Sequence, residues 1–447
     1  MGKRCKQRHT VARRCPYCLS PVRVHVVDPS SYTPPYDHAL CDALSLADTA
    51  VELFTSRFPY GPVARPNGYV RHEFFYRAAL GAPGGGVRTL SKLAQHVPDM
   101  LRYRRAARSA DVVHFQWLPV QHLDGHLLPA RRAGDGRRRP LVLTAHDVLP
   151  REPRPGQLSA QKRLYDRFDA IVVHSEHGRA RLIDELGVDG ERVHVIPHGV
   201  FTHLAPAIPE GPRAASAGMA TDLGEAEVEE KEVGETGIGI SEEGDAPPAR
   251  AGAPAFESAQ AKAKRPIVLM FGLMRPYKGI DVLLDAWRGV EGQEPIEDAE
   301  LLIAGMPRMD ISALRAAAPA NVSFDPHFVT DEELPAYFER ADLVVLPYLQ
   351  ADQSGVLFTA LAFGKPLLLS DVGGFPEMQS TGAARIVQAG DPRELGKALR
   401  ELLLDRATLT EMCVRARAAA NGRYSWKAIA AAHVELYERL LGAGERR

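Results

Sequence analysis

Apolar residues in this chain come in short runs, each closed by a turn signal and mostly followed by a stretch of helical periodicity. VRVHVVD (22–28) is the first run. VELFTS (51–56), DVVHFQW (111–117), LVLTAHD (141–147), AIVVHS (170–175) and VHVIPH (193–198) follow. A polar loop, PSSYTPPYDH, is expected to lead from the first run into a helix over ALCDALSLA. Strand-length runs alternating with helices are what a doubly wound parallel sheet requires. The alternation breaks over residues 205–265, which are rich in Ala, Gly, Pro and Glu and hold one aromatic, Phe256. That composition predicts a disordered acidic linker insertion. The βα pattern resumes at Pro266. The expected fold class is therefore α/β, with two Rossmann-like doubly wound domains over 22–204 and 266–423. A disordered basic head over 1–21 and a closing helix within 424–447 complete the expected organisation.

Composition narrows the function. At 447 residues, with 45% hydrophobic and 25% charged, the chain has the make-up of a globular protein of about two domains. Its net charge of −1 hides two opposed segments. Residues 1–23 hold seven Lys/Arg and no Asp/Glu, whereas 222–245 hold ten Asp/Glu and one Lys. The near-neutral remainder argues against nucleic acid as a partner. No apolar run reaches about 18 residues, the length of a membrane span. The basic start lacks an apolar stretch, so no secretory signal is expected. Five cysteines in so long a chain suggest a reducing, cytoplasmic setting. Cys15 and Cys18 have metal-like CxxC spacing, but zinc needs four ligands and only Cys5 or His9 could add to them. The expectation is no metal.

Two turns carry the candidate chemistry. In VLMFGLMRPYKG (268–279) an apolar run ends at Gly272. A short loop with Arg275 and Lys278 follows, then the amphipathic IDVLLDAW. Loop amides, a helix N-terminus and two cations suit an anionic ligand such as a nucleotide diphosphate. The alternative is an ordinary strand-to-helix turn with two solvated cations. In DQSGVLFTALAFGKPLLLSDVGGFP (352–376) a second turn, around Ser354, Gly355 and Val356, precedes a buried helix. Such turns cluster at the carboxyl ends of strands in open parallel sheets.

FGLMRPYKGIDVLLDAW, LLIAG, DEELPAYFERADLVVLPY and QSGVLFTALAFGKPLLLSDVGGFPE, in that order, resemble the C-terminal half of family-four glycosyltransferases of GT-B fold. VVHFQWLP, LVLTAHDVLPRE, IVVHSEHGRARL and VHVIPHGV are similar to that family's acceptor-side segments, and YSWKAIAAAHVELYERLL to its closing helix. The resemblance covers roughly 22–204 and 265–441. It implies two domains facing across a cleft, with the closing helix crossing back to the first. It further implies transfer of a sugar from a nucleotide-sugar to an acceptor hydroxyl, with retention and without a metal or other cofactor. His146, in TAHD, matches the family's active-site histidine beside the transferred sugar. The alternative is a strand-end histidine that caps a turn. Asp147 is expected to cap that turn, and His174 and His198 to be structural.

Two departures stand out. The family's paired glutamates, eight positions apart, fall here on Ala351 and Thr359, and the arginine usual after the glycine is Leu273. Asp352 or Arg275 would have to substitute. On the acceptor side PPYDH (34–38) replaces a glycine-rich loop, making Tyr36, Asp37 and His38 candidate acceptor contacts. Gln116 and Trp117 close another strand, where Trp stacks on a pyranose or fills the core. The basic runs 102–110 and 131–139 are solvated loops or contacts to an anionic membrane or charged acceptor, at the inner face of the membrane. Glycan, lipid-linked and small-molecule acceptors remain open. So do a nucleotide-sugar 2-epimerase and a non-catalytic nucleotide-sugar-binding protein as alternatives to the transferase.

Overall fold

The computed structural model describes residues 21–59, 61–81, 85–132, 136, 138–149, 156–201, 204–205, 265–290 and 292–444. The first half runs β1 (Arg23–Asp28), α1 (Pro34–Leu46), β2 (Ala50–Ser56), β3 (Val70–Phe75), α2 (Gly86–Ala106) and β4 (Val112–Phe115). It continues with α3 (Gln121–Leu127), β5 (Leu141–Thr144), α4 (Gln157–Tyr165), β6 (Ala170–Val173), α5 (Glu176–Asp184) and β7 (Val193–Val195). The second half opens with β8 (Ile267–Phe271), α6 (Ile280–Arg288), β9 (Glu300–Ala304), α7 (Ser312–Ala316), β10 (Val322–Asp325) and α8 (Leu334–Arg340). Then come β11 (Leu343–Leu346), α9 (Gly355–Ala362), β12 (Leu367–Ser370), β13 (Ala384–Val387), α10 (Pro392–Leu404), α11 (Arg406–Asn421) and α12 (Trp426–Gly444).

All pairings in both sheets are parallel. The seven-stranded sheet has the order β3-β2-β1-β4-β5-β6-β7, and the six-stranded one β10-β9-β8-β11-β12-β13. Each therefore reverses strand order beside its first strand, which is where doubly wound sheets open a crevice for ligands. The α/β class expected from the sequence is the class observed. Central strands such as β4, β5, β6 and β11 are buried at every position, because helices cover both faces. α6 buries Ile280, Leu283, Leu284 and Trp287, one apolar stripe at helical spacing. Fully burying a leucine such as Leu283 contributes about 1.5–3 kcal/mol.

α12 ties the halves together. Trp426 Nε1 donates to the Val200 carbonyl at 2.7 Å, and the Tyr437 hydroxyl meets His114 Nδ1, on β4, at 2.7 Å. The helix also packs along α1, where Trp426 lies edge-on to Tyr36 with centroids 5.2 Å apart.

Three sequence expectations need correction. PPYDH is not loop: α1 starts at Pro34, because proline at the first helical position presets φ and gives up no needed donor. Tyr36, Asp37 and His38 therefore occupy the helix's first turn. β4 and β5 stop at Phe115 and Thr144, so Gln116, Trp117 and His146 stand just past the strand ends. The run 131–139 is not a solvated loop open to lipid throughout. Arg139 is 2% exposed and donates to the carbonyls of Ala110, Ala130 and Arg108, while Arg138 pairs with Asp169 at 2.6 Å. The expected linker core (206–264), the head (1–20) and Cys5, Cys15 and Cys18 lie outside the described residues.

Candidate active site

The two glycine turns of the second half meet. Gly272 leaves β8 at φ +113°, and a Cβ there would come within 3.2 Å of Val356 Cγ2 on α9. Gly279 starts α6 at φ +66°, so tightly packed that a Cβ would lie 2.0 Å from the Pro347 carbonyl oxygen. Between them, Arg275 opens a short 3-10 turn (Pro276–Lys278) and Lys278 closes it. Lys278 is only 8% exposed, with Nζ 3.7 Å above the ring centroid of Tyr348. The Tyr348 hydroxyl reaches the Ser354 side chain at 3.3 Å. One tyrosine thus joins the cation of the first turn to the N-cap of the second. Ser354 makes no side-chain cap bond to α9, so the first amides of that helix keep their partial positive charge for another acceptor. Arg275 is half-buried at the start of the turn.

A cluster of rings stands at the carboxyl ends of the first sheet's strands. His146 lies flat against Trp117, with centroids 5.0 Å apart and planes at 12°, and edge-on to Tyr36 at 4.7 Å. Its hydrogen bonds fix its tautomer. The Ile196 carbonyl can only accept, so His174 Nδ1, 3.0 Å away, carries the proton. His174 Nε2 is then an acceptor, and its 3.2 Å contact requires the proton of His146 on Nδ1. His146 Nε2 keeps its lone pair and faces the Gln116 side-chain amide, whose Oε1 is 3.1 Å away. Turning that amide lets its N–H donate to His146 and gives the buried Gln116 nitrogen the partner it otherwise lacks among the described residues. Burial holds the His146 pKa well below the usual histidine range, and any charge on His174, His198 or His114 would lower it further. A neutral, oriented imidazole results.

His198 extends the cluster across the cleft. Its ring stacks on Phe358 of α9, with centroids 4.5 Å apart and planes at 14°. Further ties join the halves: Arg181 Nη1 to Asp352 Oδ1 at 2.8 Å, and the His177 amide donating to Glu377 Oε1 at 3.0 Å. Glu377 lies in the first turn of a 3-10 helix, as a helix-start residue would. Gln353 and Ser175 both crowd Gly374. Asp352 is thus engaged by Arg181, and Thr359 donates to the Gly355 carbonyl at 3.0 Å.

The five candidate acceptor residues divide. Tyr36 and Asp37 are each 1% exposed and Gln116 is fully buried; His38 and Trp117 keep some surface. Trp117 Nε1 donates to Thr33 Oγ1 at 3.1 Å. Asp37 and His38 line a narrow pocket with Ser31, Thr55, Ser56, Tyr69, Arg71 and Glu73. Asp28 accepts the amides of Ser30 and Tyr32, which favour its charged form against the burial that raises its pKa. Burial, with Asp28 beside it, pushes the Asp37 carboxyl far above the usual carboxylate range. Asp37 Oδ1, Thr55 Oγ1 and Ser56 Oγ find no hydrogen-bond partner among the described residues. Between Thr55 and Ser56 the pairing with β3 shifts by one residue, because Thr55 pairs with Glu73 and Ser56 with Phe75. Sequence reasoning missed both, since two hydroxyls at the end of an ordinary strand carry no distinguishing pattern.

Among the described residues, no group of three or more His, Cys, Asp or Glu could hold a metal ion, and no helix is long and apolar enough to cross a membrane.

Comparison with known proteins adds the family. The profile of group 1 glycosyl transferases matches residues 265–405, and that of glycosyltransferase family 4 matches residues 36–204. A phosphatidyl-myo-inositol mannosyltransferase of Mycobacterium leprae is 35% identical over 38% of this chain and 46% of its own length. A D-inositol 3-phosphate glycosyltransferase of Nocardia farcinica is 27% identical over 69% of this chain and 63% of its own length. The chain thus spans less than two thirds of either relative. Among solved structures, sucrose-phosphate synthase of Thermosynechococcus elongatus superposes with a TM-score of 0.62 at 19% identity, covering 94% of this chain and 100% of that one. Anabaena HepE in complex with UDP-glucose gives 0.58 at 15% identity, covering 94% and 99%. At these identities the likeness establishes a shared fold.

Proposed function

Because this chain belongs to glycosyltransferase family four and has its GT-B fold, we propose that it moves a hexosyl group from a nucleotide-sugar to an acceptor hydroxyl. The observation that carries the reading is the meeting of the two glycine turns at Tyr348, with Lys278 against its ring and the α9 N-cap Ser354 at its hydroxyl. Negative charge grows on the leaving diphosphate as the glycosidic bond breaks. A cation and preorganised N–H donors are what stabilise it. In this reading Lys278, Arg275, Gly272 and the amides of Ser354, Gly355 and Val356 hold the diphosphate. In this reading these groups do the work of a metal, as the family resemblance implies, and the reaction is metal-independent. Retention of the anomeric configuration is taken from the family.

In this reading His146 faces the same cleft from the first sheet. As a neutral ring it can hydrogen-bond a sugar hydroxyl and support charge near the anomeric carbon. In this reading the acceptor end is the pocket of Asp37, His38, Thr55 and Ser56, and Trp117, Gln116 and Tyr36 stand with His146 in the adjoining ring cluster. Its unpartnered hydroxyl and carboxyl oxygens suit a polyol. The inositol in both relatives' names is such a compound.

The test is a panel of UDP-, GDP- and ADP-sugars, each with a polyol acceptor such as myo-inositol or its phosphate. Free nucleotide and a glycosylated acceptor support the transferase. A changed sugar still on its nucleotide would replace it with an epimerase. A melting shift without turnover across the panel would leave only a binding protein.

A further inference from the structure

α2 uses two faces. His96, Asp99, Met100 and Tyr103, at helical spacing, are buried against β3 and its neighbours. Asp99 accepts the Tyr76 amide at 2.7 Å, His96 contacts the buried Asp124 of α3, and Arg102 donates to the Phe74 carbonyl at 2.7 Å. A second stripe points to solvent. Val87 is 66% exposed, Leu90 69%, Leu93 52% and Leu101 42%, with half-buried Val97 filling the gap between the last two. Leu80, just before the helix, is 70% exposed. Scattered surface leucines are normal, but several in line on one helix are not.

The charge on this helix has one sign outward. Asp99 is the sole acidic residue of α2, and it is 6% exposed. Arg104 and Arg105 are exposed in its last turn, and Arg108 just beyond it. An apolar stripe bordered by cations, with no outward anion, matches the interface of an anionic bilayer, where leucines enter the acyl boundary and arginines meet phosphates.

Orientation gives this face a use. Residue 102 lies beside Phe74 and residue 99 beside Tyr76, so α2 runs antiparallel to β3. Its residues before about 96 therefore project past the carboxyl end of the strand, and at the carboxyl ends of the parallel β1 and β2 Ser31, Asp37, Thr55 and Ser56 line the pocket. We propose that the exposed face of α2, with Leu80, docks this protein on an anionic lipid surface and so holds the β1–β3 pocket at the membrane. The occupant is the bilayer itself, since cations alone would not need the leucines and a neutral protein groove would not need the arginines.

The experiment is co-sedimentation of the full chain with phosphatidylcholine vesicles, with and without phosphatidylglycerol, at low and high salt. No turnover is needed, so its outcome is independent of the proposed reaction. Wild type should favour the phosphatidylglycerol vesicles, and salt should weaken that binding. Leu90→Glu/Leu93→Glu should lower binding at least roughly tenfold, because two apolar side chains are withdrawn from the acyl boundary. Arg104→Gln/Arg105→Gln should lower it by about tenfold or more on the anionic vesicles alone. As a reporter that leaves the stripe apolar, Leu90→Trp should shift its emission to the blue on adding the anionic vesicles.

Failure of wild type to bind would overturn the proposal. So would undiminished binding by folded Leu90→Glu/Leu93→Glu, which would move the lipid contact elsewhere, to the basic head for example. Unshifted emission from Leu90→Trp on vesicles that carry the protein would also overturn it. Self-association abolished by Leu90→Glu/Leu93→Glu, without vesicle binding, would assign the face to a second copy instead.

Discussion

Arg181 of α5 and Asp352, in the turn before α9, are 171 positions apart and form an ion pair of 2.8 Å that joins the two sheets. Asp352 is the carboxylate nearest the position where the family carries its first glutamate, so its partner matters for the mechanism. Arg181 also binds Glu185, and these carboxylates hold its pKa above the ordinary arginine value. An Asp352 held in this way acts on the closed arrangement of the halves rather than on the donor sugar. Asp352→Ala and Arg181→Ala should then have similar effects on kcat/KM, and the double variant should lose no more than either single one. Such a partly exposed pair has a coupling of about 1 kcal/mol or less. A loss for Asp352→Ala some hundredfold greater than for Arg181→Ala would instead make it the substitute for the missing glutamate.

Lys278→Met keeps the apolar stem on Tyr348 and removes the charge. If Nζ helps hold the diphosphate, kcat/KM should fall at least about tenfold, some 1.4 kcal/mol, and nucleotides should no longer raise the melting temperature. Arg275→Ala should act in the same direction. Normal kinetics in both would return the turn to the status of an ordinary strand-to-helix connection.

Gly279→Ala tests the turn's backbone. The residue sits at φ +66°, and a methyl group would meet the Pro347 carbonyl oxygen at 2.0 Å. Left-handed strain and overpacking together should cost about 2–5 kcal/mol. Gly442→Ala on α12, with nothing within 4 Å of the new Cβ, is the control and should be neutral or slightly stabilising. Urea denaturation of both variants checks the contrast.

Most of the fold could be read from apolar runs, because central parallel strands are buried on both faces and have little alternation. The strands that escaped, β3, β10 and β13, are at sheet edges. β3 has one fully buried residue in six and β10 none, so no run marks them. The glycine turns were visible because backbone with positive φ demands glycine. Thr55 and Ser56 were not, since they reach the pocket only once α1 and β3 pack around the end of β2. Arg139 was hidden for a different reason. A basic run looks solvated until folding supplies three carbonyls to one guanidinium.

Acid should unfold this protein through its buried histidines. Burial depresses His174 to about 4 and His198 to about 3, against 6.5 for the ordinary side chain. The unfolded chain therefore binds more protons. The contribution of each ring is complete above pH 6.5 and is lost as pH falls from there toward 4 and 3. At about pH 5 the loss is roughly 2 kcal/mol per ring relative to neutrality. His198→Phe keeps a flat ring on Phe358 and should lose less stability between pH 7.5 and 5 (both approximate settings) than wild type does. The difference between the two proteins cancels the opposite contribution of the raised Asp37 carboxyl. Parallel curves for wild type and variant would show that His198 is not a source of the acid sensitivity.

His146 gives the sharpest test of the chemistry. Its Nδ1 proton is fixed by His174, its Nε2 lone pair by Gln116, and its ring face by Trp117. The proposed donor contacts lie on the other sheet, around Tyr348. His146→Ala should therefore leave nucleotide affinity within about threefold of wild type while lowering kcat by about a hundredfold, the scale on which a positioned acid–base or polar group contributes. Gln116→Leu removes only the partner of Nε2 and should lower kcat less, through loss of orientation. A merely structural histidine would behave differently: the melting temperature would fall and turnover per folded molecule would survive. Calorimetric nucleotide affinity, sugar-transfer rate and circular dichroism on the same preparations separate these outcomes. Full turnover by a folded His146→Ala enzyme would remove His146 from the chemistry. The search for the group beside the anomeric carbon would then move to Trp117 and the buried Asp37.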